Sequence, residues 1–228
     1  MSHSQSYLLA IETVGKVCGI SIFDIAKEQS LLDYVMHVPN MHDALLAEFV
    51  RRAMHDIGIE SQHIKAIAVS EGPGSFTGIR IGMSFAKGWC ADGKTSLISV
   101  PTFHAMIEAA RASIIGDTYS KICIFMKSHG DRYFMQCFDI HSGKELAPIS
   151  VITKEEARSQ VDETAIIIGD IIIHDEGIAQ HRQFTTSHPA YIGNYGLNML
   201  KLQQFTSPLT ADSEYHAEFI PTIREKQS

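Results

Sequence analysis

The chain has 228 residues, 45% of them hydrophobic, and a formal net charge of -7. That is enough apolar material for one large domain or two modest lobes, and it excludes a disordered chain. The acidic balance, with no lysine or arginine run, excludes a protein that grips nucleic acid strongly by itself, because neutralised phosphates supply most of that affinity. Four cysteines (Cys18, Cys90, Cys123, Cys137) are widely spaced without a CxxC pair. They read as buried free thiols in a reducing compartment. The N-terminus lacks a basic region followed by an apolar stretch, and no apolar run approaches the roughly 18 residues of a membrane span. A cytoplasmic location is the expectation.

In chain order, Tyr7 to Glu12 reads as a buried strand, and Thr13 to Lys16, containing Gly15, as a hairpin turn. Val17 to Asp24 is the return strand, and Leu31 to Val38 a third. Pro39 and Asn40 break the pattern. His42 to Ile57 places Leu45, Leu46, Phe49, Val50 and Met54 at spacings of three and four, which predicts a helix with one apolar stripe. Ile64 to Val69 is a strand, followed by a corner through Gly72, Pro73 and Gly74 and a helix entered at Ser75 or Thr77. Leu97 to Val100 is a strand, and Pro101 opens a further helix to about Ala112. Beyond it, Ile122 to Lys127, Arg132 to Ile140 and Ala147 to Ile152 read as strands, Lys154 to Gln160 as a short helix and Ala165 to Ile168 as a strand. Asp170 to Gln180 is ambiguous, and Asn194 to Phe205 reads as a helix. Three meandering strands, then alternating helices and strands, then a partial repeat of that order predict an α/β fold of two similar lobes. Each lobe would be a mixed sheet with helices on its faces. The boundary is expected near residue 103, giving an N-terminal lobe of 1–103 and a smaller, divergent C-terminal lobe of 104–228, whose last helix could pack back on the first.

The glycine corner, from Gly72 to Gly78, is the best anion candidate. Its backbone amides, with Ser75 and Thr77, lie at a helix N-terminus, where the dipole favours negative charge. The competing reading is a tight structural corner capped by Ser75 or Thr77. Gly88 to Thr95 matches GxxxxGK[ST], but a helix precedes it and a strand follows, the reverse of a phosphate loop. Gly93 reads there as a helix C-cap residue with Lys94 near the negative helix end. After the corner, Gly78, Gly82 and Ala86 recur every four residues, with Ile81, Phe85 and Trp89 beside them. The row of small residues predicts a groove where another backbone comes close. It could serve this chain's own lobes or a second subunit, and a subunit interface is the reading taken. Twelve histidines include no HxxxH or HExxH pair. His104 and Glu108 share a helix face and could form half of a site. Glu12 and Asp24, near the first turn, could hold a metal or a water, and Glu12 could equally be a strand-end residue. No GxSxG elbow occurs.

Glu71 to Gly82, EGPGSFTGIRIG, after IAVS and before AKG, closely resembles the TsaB (YeaZ) family. So do the opening LLAIETVGKVCGISIFD, His42 with Leu45 and Leu46 (Ala47 replacing a proline), and VPTFHAMIEAA. The C-terminal FIPTIREK is a fainter match. The resemblance implies the two-lobed fold of actin, Hsp70 and the sugar kinases. It implies a non-catalytic subunit in making tRNA threonylcarbamoyladenosine, without a metal of its own. It also implies pairing with a catalytic, metal-holding TsaD paralogue, docking of a TsaE ATPase, tRNA contact only through the complex, and a homodimer when alone. Pairing in the family uses helices of the first lobe, so Gly78, Ile81, Gly82, Phe85, Ala86 and Trp89 are the expected interface. The loop set of Glu12, Gly15, Gly72, Gly74, Ser75 and Thr77 would at most keep a vestigial nucleotide site. Glu12 replaces the family's usual aspartate, and Lys127, ahead of Ser128, His129, Gly130, Asp131, Arg132 and Tyr133, replaces an acidic residue facing the cleft. Lys127 and the lack of the paralogue's HxxxH metal pair favour a scaffold over an enzyme. The rival reading is an ATP-dependent phosphotransferase or hydrolase of the same fold. A metallopeptidase or inactive glycopeptidase is the third.

Overall fold

The computed structural model describes residues 5–37, 42–114, 118–173, 177–181 and 183–211. The expected break at Pro39 and Asn40, the His42 side chain and the FIPTIREK segment lie outside these.

Two five-stranded sheets carry the fold. The first uses β1 (Tyr7–Glu12), β2 (Cys18–Asp24), β3 (Gln29–Met36), β4 (Ile64–Gly72) and β5 (Ser96–Pro101) in the order β3-β2-β1-β4-β5. The second uses β6 (Lys121–Lys127), β7 (Arg132–Asp139), β8 (Ser150–Thr153), β9 (Ala165–Gly169) and β10 (Ala179–Gln180) in the order β10-β9-β6-β7-β8. In each sheet the first three strands pair antiparallel and the next two join in parallel beside the first. The second sheet therefore repeats the order and polarity of the first, which is the two-lobed α/β fold that the element order predicts.

Chemistry explains the central strands. YLLAIE is buried along its whole length, because a strand with a parallel neighbour and helices on both faces needs an unbroken apolar run. On one face of the first sheet lie α1 (His42–Asp56) and α2 (Phe76–Cys90), closing a core of Leu9, Ile11, Ile20, Leu46, Val50 and Met83. On the other face lies α5 (Pro189–Lys201), where Ile192 and Leu197 meet Leu8, Ala10, Ala66 and Ala68. α3 (Thr102–Ser113) sits between the lobes. Its Met106, Ile107 and Ala110 pack with Ile122, Ile124 and Phe138 of the second sheet. The outer face of that sheet is covered by the short α4 (Lys154–Ala157) and the 3-10 turn after it, against Phe125, Val161 and Ile167.

Two sequence expectations need correction here. Cys123 and Cys137 are not free thiols. They oppose each other across β6 and β7 with Cα atoms 4.1 Å apart and form a disulfide. That separation is within reach of a bridge and its pairing follows from the hairpin register. Only Cys18 and Cys90 remain as buried thiols, so the thiol argument for a reducing compartment rests on those two. The last helix starts at Pro189, capped by His188, rather than at Asn194. Two glycines, Gly193 and Gly196, lie in its middle. In the structure they are the contact points: a Cβ at Gly193 would overlap the Phe23 ring, and one at Gly196 would lie 2.5 Å from the Ala68 Cβ.

Candidate functional site

The corner joins β4 to α2, and its construction answers what its glycines admit. Ser75 is the N-cap of α2, its hydroxyl accepting from Gly78 N at 3.2 Å. Ser75 N donates to Val14 O at 2.8 Å, and the Thr13 hydroxyl donates to Gly78 O at 2.8 Å. A Cβ at Gly74, whose φ is +155°, would lie 2.5 Å from Val14 O, and one at Gly78 would overlap the Thr13 carbonyl. The glycines therefore admit the backbone of the β1–β2 turn, which is pressed onto the first turn of the helix.

That contact corrects the interface expectation for three residues. Gly78, Gly82 and Ala86 are buried and face this chain's own sheet. A Cβ at Gly82 would lie 2.5 Å from Thr13 Oγ1 and 3.3 Å from Val69 Cγ2. The row of small residues is used up inside the lobe. The outer side of α2 instead carries Thr77, Arg80, Ser84 and Gly88 exposed, with Ile81, Phe85 and Trp89 half-buried. Phe85 and Trp89 rings lie 5.9 Å apart, and the Arg80 guanidinium stands 3.8 Å over the exposed Phe76 ring. A new pair of small residues, Ser84 and Gly88, is four apart on this outer side.

The cleft between the lobes opens at the corner, with a cavity of about 280 Å³. Of the expected loop residues it is lined by Gly15, Gly74, Ser75 and Thr77. Glu12 and Gly72 are not among the lining residues. Glu12 is fully buried: its Oε1 accepts from Val14 N at 2.7 Å and Gly15 N at 3.1 Å, and its Oε2 accepts from the Ser187 hydroxyl at 2.6 Å. Burial raises its carboxyl above the ordinary value of 4.5, against those hydrogen bonds, which lower it. Its oxygens are occupied in stapling the first turn to the segment before α5, so the expectation that it holds a metal or a water is corrected. Asp24 accepts from Lys27 N at 3.0 Å at the far end of β2. Gly72 N donates to Thr102 Oγ1, tying the corner to α3.

Sequence reasoning missed the cross-cleft pair. Lys16 Nζ lies 3.3 Å from Asp170 Oδ2, and Asp170 Oδ1 accepts from Lys127 N at 2.8 Å. Burial raises the Asp170 carboxyl, and Lys16 opposes that shift. Lys127 lines the cleft, with Nζ 4.4 Å above the Tyr133 ring. The Gly169-Asp170 step that ends β9 is the only local signal that could have flagged Asp170. His104 pairs with Glu145 at 3.0 Å, and Glu108 with Arg111 at 2.9 Å, so the expected half-site is divided between two partners. Among the described residues no group of three His, Cys, Asp or Glu could hold a metal ion. The GWCADGKT segment is the end of α2 and the turn into β5, with Lys94 paired to Asp92.

Fold and corner together define the class: a two-lobed α/β protein with a cleft between duplicated mixed sheets. Comparisons with known proteins agree. A family model described as "TsaD: tRNA N6-adenosine threonylcarbamoyltransferase" matches residues 37–126. The TsaB protein of Escherichia coli K12 is 28% identical over 103 residues, 45% of this chain and 43% of that protein. That of Bacillus subtilis 168 is 30% identical over 94 residues, 40% of each. Both bear the name tRNA threonylcarbamoyladenosine biosynthesis protein. The matched stretch thus spans about two-fifths of these relatives. A solved Pseudomonas aeruginosa protein described as similar to peptidase YEAZ superposes with a TM-score of 0.74 at 17% identity, over 92% of this chain and 99% of that one. YeaZ from the same organism gives 0.71 at 16% identity, over 90% and 97%. Part of the chain is thus similar in sequence to TsaB proteins, and its fold is similar to that of YeaZ.

Proposed function

We propose that this chain is a non-catalytic subunit of the machinery that makes threonylcarbamoyladenosine in tRNA. It pairs with a TsaD-like catalytic paralogue through the outer side of α2 and offers the pair as a platform for a TsaE-like ATPase. The observation that carries the reading is the similarity of about two-fifths of the chain to two proteins named for that pathway. The structure adds a surface suited to the role. Ile81, Phe85 and Trp89 are half-buried beside exposed Phe76, and Ser84 and Gly88 leave room for a helix to approach. An apolar centre ringed by polar residues is the usual anatomy of a subunit contact. In the paralogue's absence the same surface would serve a homodimer. The negative net charge leaves the tRNA to the partner.

The test is to mix this chain with the TsaD-like paralogue and measure a 1:1 complex by light scattering. Ser84 is exposed, so Ser84→Arg removes no packing from the monomer. It is expected to leave the thermal melt unchanged and weaken the complex at least tenfold, about 1.4 kcal/mol. An unaltered complex would remove α2 from the interface.

A nucleotide-using enzyme is the second reading, favoured by the hydroxyls of Ser75 and Thr77 and the cation of Lys127 around the cleft. The carboxylates fit it poorly, because both oxygens of Glu12 and both of Asp170 are engaged within the chain. Calorimetry of the isolated chain with Mg-ATP is expected to show no heat. Saturable binding with turnover would favour the enzyme.

A further inference from the structure

Before α5 the chain returns from the second lobe to the first, and a row of contacts fastens the return. Gly169 N, at the end of β9, donates to Phe184 O at 2.7 Å, and the Phe184 side chain is buried with Ile166 and Ile168 of the second sheet. Further along, the Ser187 hydroxyl donates to Glu12 Oε2 on β1. Pro189, the first residue of α5, sits over β2, where a Cβ at Gly19 would lie 3.0 Å from its Cγ. Tyr191 packs against two cores, that around Phe184 and that between α5 and the first sheet, with its ring 5.7 Å from the Phe184 ring.

His188 lies in the middle of this row. Ala190 N donates to His188 Nδ1 at 3.1 Å, which is the side-chain cap of α5, and the His188 and Tyr191 rings lie 5.5 Å apart. A backbone N–H only donates, so the capping Nδ1 carries no proton and the imidazole is neutral in this arrangement. The usual N-cap residues keep their acceptor oxygen near neutral pH, whereas a histidine acceptor is lost on protonation. A proton on Nδ1 sets a donor against a donor. It also adds a positive charge at the positive end of the helix dipole. Both effects act on the first turn of α5, where Tyr191 N and Ile192 N donate to His188 O.

We infer that His188 is a proton-sensitive latch: neutral, it caps α5 and holds the return segment closed; protonated, it releases the first turn of the helix and loosens the joint between the lobes. The surrounding groups set its working range. Burial pushes the His188 imidazole below its ordinary 6.5; Asp33 of β3 opposes that shift, and His37, just after β3, adds to it. Tyr191 faces it from α5 with a phenol that burial pushes up, so that group stays neutral in this range. On the side of the second lobe, the row of rings continues through Phe184 to His181, 5.0 Å further on. Because the folded value of His188 is depressed, the stability that the cap contributes is fully present above pH 6.5 and is lost as pH falls through the lowered value. Glu12 acts in the opposite sense. Its raised carboxyl makes protonation favour the fold, so it does not produce an opening on acidification. α5 lies on the opposite face of the first sheet from α2, and the latch does not depend on the proposed pairing.

The test is an acid titration of the intact chain by NMR. Nitrogen shifts of the His188 ring are expected to show Nδ1 unprotonated at neutral pH. Hydrogen exchange at the Ala190, Tyr191 and Ile192 amides, corrected for the intrinsic effect of pH, should quicken about tenfold as pH falls through the His188 midpoint, as a lost cap and an opposed dipole together predict. The step should vanish in His188→Asn, which keeps a capping acceptor that does not titrate, and should remain in Glu12→Gln. Asp33→Asn should move the midpoint down and His37→Gln should move it up. If His188→Asn does not fold, these two shifts decide. A proton on Nδ1 at neutral pH, amides protected throughout the titration, an opening step that persists in folded His188→Asn or disappears in Glu12→Gln, or a midpoint unmoved by both charge variants would overturn the inference.

Discussion

At the scale of single residues, Glu12 shows how a buried acid can be structural. Two amides of the β1–β2 turn and the Ser187 hydroxyl donate to its carboxylate. Burial nonetheless raises its affinity for a proton above the ordinary 4.5. The folded state therefore binds that proton more tightly than the unfolded chain does. Its contribution to stability is fully present below pH 4.5 and is lost as pH rises through the raised value. Glu12→Gln keeps an acceptor for the two amides and removes the ionisation. Its urea midpoint is expected to fall less between pH 4.5 and 8 than that of the wild type. Glu12→Ala leaves Val14 N, Gly15 N and the Ser187 hydroxyl without their acceptor, at a cost of about 2–3 kcal/mol. Equal pH slopes for wild type and Glu12→Gln would show that the carboxyl is not perturbed.

At the scale of elements, α2 separates two kinds of glycine. Gly78 touches the Thr13 carbonyl, whereas a Cβ at Gly88 would meet nothing within 4 Å. Gly78→Ala must push the β1–β2 turn off the helix and is expected to cost about 2–3 kcal/mol. Gly88→Ala gains helix propensity at an open site, up to about 1 kcal/mol, or roughly 2–4 °C in melting temperature. Differential scanning calorimetry reads both, and a melt lowered by Gly88→Ala would mean the site is not open. The same helix marks the limit of the sequence. Its existence and capping were legible, because Ser75 and an apolar period of three to four signal them. Its orientation was not. A helix apolar nearly all round presents several equivalent faces, and the row Gly78, Gly82, Ala86 suits an inner sheet as well as an outer partner. Contacts between distant segments were equally hidden. Ser187 on Glu12 joins residues 175 apart in the chain, and Lys16 meets Asp170 only once two lobes have folded. The Cys123–Cys137 bridge was recoverable, since the hairpin register places the two opposite one another.

At the scale of the whole molecule, duplication does not make the lobes independent. The second sheet repeats the first in order and polarity, yet α5, which follows the second sheet in the chain, covers one face of the first. Ile192 is fully buried there and Leu197 nearly so, over Leu8, Ala10, Ala66 and Ala68. Without α5 the first lobe would present that face of its central strands to water. Uncovering the two large side chains alone forfeits about 1.5–3 kcal/mol each. A domain's net stability is only about 5–15 kcal/mol. Thr206 adds a further tie, its N donating to Leu97 O at 2.8 Å on β5. The expected consequence is that a fragment of residues 1–116, although it contains all five strands of the first sheet, does not fold alone. Its lone tryptophan, Trp89, should show solvent-like fluorescence and no cooperative transition in urea. Supplying residues 117–228 as a separate chain should restore a single cooperative transition, because α5 can dock without covalent continuity. A cooperative melt of the 1–116 fragment by itself would show that the first lobe closes its core without the helix.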